Sequence, residues 1–123
     1  LSNEDRSSGE EIKKNLYKKL KDLQICTREN HRLLNSVISL FENDNSYSLM
    51  QLLTIVKREI LICPITQGTL IEPVISRYRH SFNKDSLQKW VARTWKCPMT
   101  RQTLRSGEWS KDDVTLKILD IMK

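Results

Sequence analysis

The sequence predicts an α+β fold, helical in its first half and loop-rich with a small hairpin in its second. Three observations predict it. Apolar residues recur at helical spacing from Ile12 to Val56. All three prolines and all three tryptophans lie beyond residue 60. Charge shifts at the same place: residues 1–60 hold 10 Lys+Arg and 9 Asp+Glu, whereas residues 61–123 hold 11 and 6. The boundary is therefore set near Ile60. A polar, disordered tail is expected over 1–9, a helical region over 10–59 and a second domain over 60–123.

Each element has a local reason. In EEIKKNLYKKLKDLQI, Ile12, Leu16, Leu20 and Leu23 share one helix face, and Glu10 and Glu11 suit a helix N-terminus. Thr27 is the expected N-cap of a second helix over 28–42, with Leu33, Leu34, Val37, Ile38 and Phe41 inward. Asn43 to Ser46 breaks the pattern. A third helix over 47–59 carries Leu49, Leu52, Leu53 and Val56. Helices this short need a partner surface, whether each other, the second half or another chain. Beyond Ile60, Cys63-Pro64 and Glu72-Pro73 push the chain out of helical geometry. Ile71 to Ser76 reads as a strand, and His80-Ser81-Phe82 as its hairpin partner. Asn83 or Asp85 is the expected cap of a helix over 84–93 containing Leu87, Trp90 and Val91. Cys97-Pro98 opens a second loop. A last helix follows Asp112, with Leu116, Leu119 and Met122 on one face. No internal repeat is read from the chain.

Composition excludes several classes. The 123 residues carry a formal charge of +6, with three Cys and two His. Five candidate ligands cannot fill two zinc sites, which need eight. An odd number of widely spaced cysteines argues for reduced thiols rather than a disulfide framework. No run of about 18 apolar residues exists, so no membrane span is expected. The polar N-terminus is unlike a signal peptide, and a cytoplasmic location is expected. The basic second half suits nucleic acid, but basic balance serves any acidic partner, so nucleic acid ranks low.

Cys63-Pro64-Ile65-Thr66 is followed by Glu72-Pro73-Val74-Ile75, then by His80-Ser81-Phe82 with Leu87 and Trp90. Cys97-Pro98-Met99-Thr100-Arg101 with Leu104 comes next, and a helix with Leu116 and Ile118 ends the run. In this order and spacing the stretch resembles the U-box family, the zinc-free relatives of RING-type ubiquitin ligases. Cys63, His80 and Cys97 fall where RING ligands would sit. Thr66, Tyr78 and Thr100 replace their partners, and Asn83 and Ser86 fall at two more ligand positions. A site missing half its ligands does not close, so no metal and no cofactor is expected. Thr66, Asn83, Ser86 and Thr100 are instead expected to supply loop-bracing hydrogen bonds.

The resemblance implies an E3 ubiquitin-ligase module without covalent catalysis. A ubiquitin-charged E2 conjugating enzyme would dock on a groove between two loops and the central helix. Ile65 would be the apolar anchor, Pro64 its neighbour, Trp90 the helix contribution and Pro98 the second-loop wall. Arg101 would orient E2 and ubiquitin. Taken without the resemblance, Ile65 and Trp90 read as core residues and Arg101 as a solvated charge. Cys63 and Cys97 have no base nearby in sequence and read as buried hydrophobes, not nucleophiles. His80, Cys26 and His31 read as structural. The substrate is unknown, with residues 10–59 as its candidate binding region. The low-Gly, Lys/Asn/Ile/Ser-rich style is similar to ligases that bacterial pathogens deliver into the host cytosol. Two departures stand out. The Pro-Asn pair that often precedes the last helix is replaced by Trp109 to Asp113, where Asp112 or Asp113 is expected to cap and brace. Arg77-Tyr78-Arg79 is bulkier and more basic than the expected turn. They keep open a second reading: a degenerate U-box adaptor that holds a substrate protein without recruiting E2.

Overall fold

The computed structural model describes the backbone of residues 2–43 and 46–122, and the side chains of residues 9–43 and 46–122. Helix α1 spans Ser2–Cys26, α2 Arg32–Asn43 and α3 Leu49–Ile55, which runs on into a π-helical turn, Val56–Ile60. Strands β1 (Pro73–Ser76) and β2 (Ser81–Asn83) precede α4 (Lys84–Thr94), β3 (Trp109–Lys111) and α5 (Asp113–Ile121).

The helical half follows its apolar faces. Leu16, Leu20 and Leu23 of α1 and Leu34, Val37 and Ile38 of α2 are buried, with Leu52 of α3 and Val56 of the π turn. α1 begins eight residues before Glu10, so the segment expected as a disordered tail is helical from Ser2. Extending an existing helix needs only one more hydrogen bond per residue fixed, which a Pro-free segment allows. Thr27 does not cap α2. Its hydroxyl donates back to Leu23 O at 2.7 Å and closes α1. α2 starts at Arg32, and the ring Nδ1 of His31 accepts the N–H of Leu34 at 3.1 Å. A His ring thus takes the place normally given to Ser, Thr, Asp or Asn. The predicted break over Asn43–Ser46 falls partly on residues 44 and 45, outside the described residues. α3 opens with a full capping box: Ser48 Oγ accepts from Gln51 N, and Gln51 Oε1 accepts from Ser48 N.

The sheet is antiparallel, ordered β2-β1-β3. Val74 pairs with Phe82 on one side and with Lys111 on the other. β3 is absent from the sequence reading, because three half-polar residues acquire strand character only from their partner β1. The turn Arg77-Tyr78-Arg79 is bulky for a structural reason. Arg79, at φ 67°, donates from Nε to Asn30 O at 2.7 Å and pairs with Glu29 at 2.9 Å. The hairpin tip is thereby tied to the α1–α2 connection.

Two apolar clusters result. One joins α1, α2, Val56 and Leu61 to Ile118 of α5 and to Met122, the residue that ends it. The other holds Cys63, Leu70, Val74, Phe82, Leu87, Val91, Cys97 and Leu104. Leu33 packs against both. The helices therefore pack on each other and on the C-terminal helix. The buried face of α5 is Thr115 and Ile118, continued by Met122 just past its end, with Leu116 and Leu119 half-buried.

A polar knot joins the halves. Asp112, 1% exposed, is the N-cap of α5 and accepts from Thr115 N at 3.0 Å. It also accepts from Thr115 Oγ1, from Ser81 Oγ and from His31 Nε2 at 2.8 Å. Because His31 Nδ1 already accepts from Leu34, the ring proton sits on Nε2 and points at Asp112. Of the two acids expected to cap, Asp112 does so. Burial opposes its ionisation, but the donors from His31, Ser81 and Thr115 outweigh that and lower its pKa from 3.8 to about 2.

Candidate functional site

The two loops of the second half are copies of one design. Leu61 to Leu70 reads L-I-C-P-I-T-Q-G-T-L, and Trp95 to Leu104 reads W-K-C-P-M-T-R-Q-T-L. Both close identically. Cys63 N donates to Gly68 O and Gln67 N to Cys63 O, each at 2.8 Å. Cys97 N donates to Gln102 O at 2.8 Å, and Arg101 N to Cys97 O at 2.9 Å. The loop necks form isolated bridges, Ile62 with Thr69 and Lys96 with Thr103. Gln67 (φ 63°) and Arg101 (φ 61°) hold equivalent left-handed positions. The expectation of no internal repeat is therefore wrong. C-P-x-T-x-x-T-L occurs twice, and that signal was open to inspection in the sequence. The match sets Ile65 beside Met99 and Gln67 beside Arg101.

The ligand-like positions are knit by hydrogen bonds. Thr66 Oγ1 accepts from Gly68 N, and Thr100 Oγ1 from Gln102 N, each at 3.2 Å and each within its own loop. Asn83 reaches furthest. It stands at the N-cap of α4 without capping it by its side chain. Instead Oδ1 accepts from Ile71 N at 2.8 Å and Glu72 N at 3.2 Å, while Nδ2 donates to Thr69 O at 3.0 Å. Ser86 differs from expectation: half-buried in the first turn of α4, its hydroxyl bonds to neither loop among the described residues. Two braces escaped sequence reasoning. Tyr78 Oη donates to Thr103 O at 2.6 Å, and Trp90 Nε1 donates to Lys96 O at 3.0 Å. Together they fasten loop two to the hairpin and to α4.

The three ligand-like side chains behave as packing groups. Cys63 and Cys97 are free and buried. Burial opposes ionisation of Cys63, yet the amide N–H groups of Asn83, Thr66 and Ile65 and the Thr66 hydroxyl hold its pKa below the ordinary thiol value. Asn83 N lies 3.4 Å from Cys63 Sγ. Fully enclosed, the sulfur has no path to a substrate. Burial, then the charge of Arg32, push the His80 pKa down. Among the described residues, no group of three or more His, Cys, Asp or Glu is placed to hold a metal ion. No helix among them is long and apolar enough to cross a membrane.

The predicted docking residues lie on the two loops and on α4. Ile65 of loop one and Trp90 of α4 pack against the same buried cluster and remain half-exposed. Pro64 and Pro98 are half-exposed at equivalent loop positions. Met99, 50% exposed, adds an apolar side chain that the prediction omitted. Arg101 is exposed, and its guanidinium makes no hydrogen bond or ion pair among the described residues. The two loops, stiffened by backbone bonds, thus carry partly exposed apolar groups, and loop two an exposed cation. Partly exposed apolar side chains of this kind suit contact with a protein.

Comparison with known proteins matches residues 58–118 to a family model described as the U-box domain. No curated protein matches the chain.

Proposed function

Because the chain belongs to the U-box family, whose domains are generally associated with ubiquitin-ligase activity, we propose that it is an E3 module that docks a ubiquitin-charged E2. Ile65, Trp90, Pro98 and Pro64 form the docking face, and Arg101 orients the conjugate. The supporting observation is the joint placement of Ile65 and Trp90, half-open on one rigid apolar cluster. Apolar side chains seated on a packed base give up little entropy on binding and serve as hot spots. A guanidinium with several free donors can clamp acceptors on two proteins at once. Holding the thioester against substrate in one geometry lowers the entropic part of the barrier. The chain supplies position, and the E2 supplies the reactive bond. For the substrate protein, the proposed binding region is residues 10–59, the helical half that packs beside the U-box.

The test is ubiquitin transfer across a panel of E2 enzymes. Ile65→Ala should abolish both E2 binding and transfer while leaving the fold intact, since its side chain is only half-buried. Arg101→Ala should keep E2 binding and slow transfer. Ile65→Ala as active as wild type would remove the docking face from consideration. Wild-type protein that binds no E2 in the panel would favour the adaptor reading.

A further inference from the structure

β3 is an outer strand of the sheet, and its Ser110 and Lys111 are exposed. The ladder with β1 sets which backbone groups point outward. Arg77 N donates to Glu108 O at 3.1 Å, and Asp112 N to Pro73 O at 3.0 Å. Bonded and non-bonded pairs alternate in an antiparallel ladder, so Ile75–Ser110, midway between, is the bonded pair within β3. Trp109 and Lys111 take the alternate positions and turn their N–H and C=O groups away from β1. None of these four groups has a hydrogen-bond partner among the described residues. Beside them lies a cleft of about 360 Å³ whose lining includes all three residues of β3. Its apolar wall is Ile71, Pro73, Val74 and Leu116, with Ile71 78% exposed. We propose that β3 takes up an extended peptide of a partner protein as a fourth strand, with an apolar side chain in the cleft and an acidic one beside Lys84 or Lys111.

The occupant follows from the edge itself. Two donors and two acceptors in extended geometry are the complement of another strand. Strand addition satisfies them with main-chain bonds, and a neighbouring pocket selects the side chain. A helix, whose N–H and C=O groups already bond each other, satisfies none of the four. In an added strand, side chains two positions apart share a face. An apolar residue facing the cleft therefore sets its neighbour two positions away toward the flanking cations. The lining holds two lysines, Lys84 and Lys111, against one acid, Glu72. Lys84 makes no ion pair among the described residues, and Lys111 reaches only Asp113, at 3.8 Å with both side chains open to water. The same cations disfavour pairing with a second copy of this chain, because edge lysines repel their own kind. The lining contains none of Ile65, Trp90, Pro98 or Arg101, so the site stands independently of the proposed E2 contact.

The experiment selects binders of the full chain from a displayed library of random heptapeptides and measures Kd for the enriched sequences. These should carry an apolar residue with Asp or Glu two positions away. Saturating peptide should slow amide hydrogen exchange at Trp109 and Lys111 by about tenfold or more, and change Ser110, already bonded to β1, far less. Lys111→Pro deletes one outward N–H and no ladder bond, so its urea midpoint should match wild type. It should weaken the same peptides by about tenfold. Ile71→Asp, at an exposed position, and Lys84→Glu should each weaken them several-fold. Ile65→Ala should bind them as wild type. An empty selection would overturn the proposal, as would peptides that bind Lys111→Pro and Ile71→Asp like wild type and leave the Trp109 and Lys111 amides unprotected. Protection of both amides without peptide, rising with protein concentration alongside the measured mass, would overturn it in favour of a second copy on the edge.

Discussion

Replacing Asp112 with Ala should cost about 3–5 kcal/mol of stability, the range for breaking a buried charged contact by removing one partner. Its carboxylate accepts four hydrogen bonds, from His31 Nε2, Ser81 Oγ, Thr115 Oγ1 and Thr115 N. The two hydroxyls can turn elsewhere, but two N–H donors cannot. His31 is 2% exposed and Thr115 fully buried, so water does not replace the lost acceptor. Each orphaned donor costs about 1–3 kcal/mol, one of them being the cap of α5. Urea unfolding at pH 7 measures the sum. Asp112→Asn retains one acceptor oxygen and the shape, and should lose about 1–2 kcal/mol. The pH profile separates charge from shape. A carboxylate held at about 2 against 3.8 unfolded binds fewer protons in the native state. Its contribution, about 2 kcal/mol, is complete above the unfolded value and disappears as pH falls through the folded one. Asp112→Asn should lack that part of the acid decline. A loss below about 1 kcal/mol for Asp112→Ala, or an unchanged acid profile in Asp112→Asn, would refute the assignment of this carboxylate as the junction.

Other outcomes follow from the loops. Asn83→Ala removes three side-chain bonds to the loop-one neck and should cost about 2–3 kcal/mol in urea unfolding; Ser86→Ala, without such bonds, should stay within about 0.5 kcal/mol of wild type. Gln67→Gly relieves a left-handed backbone at φ 63°. The gain should reach about 0.5 kcal/mol after the entropy of glycine is subtracted, read as a raised urea midpoint. Arg101→Gly occupies the equivalent backbone position and should stabilise similarly while slowing ubiquitin transfer, so stability and activity move in opposite directions.

Periodic apolar residues disclosed α1, α2 and α4, because each buries one face and the stripe survives in the sequence. Paired features were less visible. β3 has no alternation of its own and exists through its register with β1. The cap of α2 is a histidine, an unusual choice that makes sense only beside Asp112, 81 positions away. Thr27 satisfied every local rule for a cap, yet the chain used it to close the preceding helix. Ile65, Trp90 and Arg101 came from resemblance and not from periodicity. Met99 became visible once the two loops were superposed by their hydrogen bonds.

The shared use of α5 has a mechanical consequence. Ile118 and Met122 belong to the core of the helical half, while Asp112 at the same helix's start ties down β2 and His31. Among the described residues, no swinging linker separates the helical half from the loops. A cargo gripped on α1–α3 would be presented to the loops like work clamped in a jig, at one distance and one angle. Which lysine is reached would then depend on how the cargo is seated, and lengthening the chain between α3 and Leu61 would blur that choice.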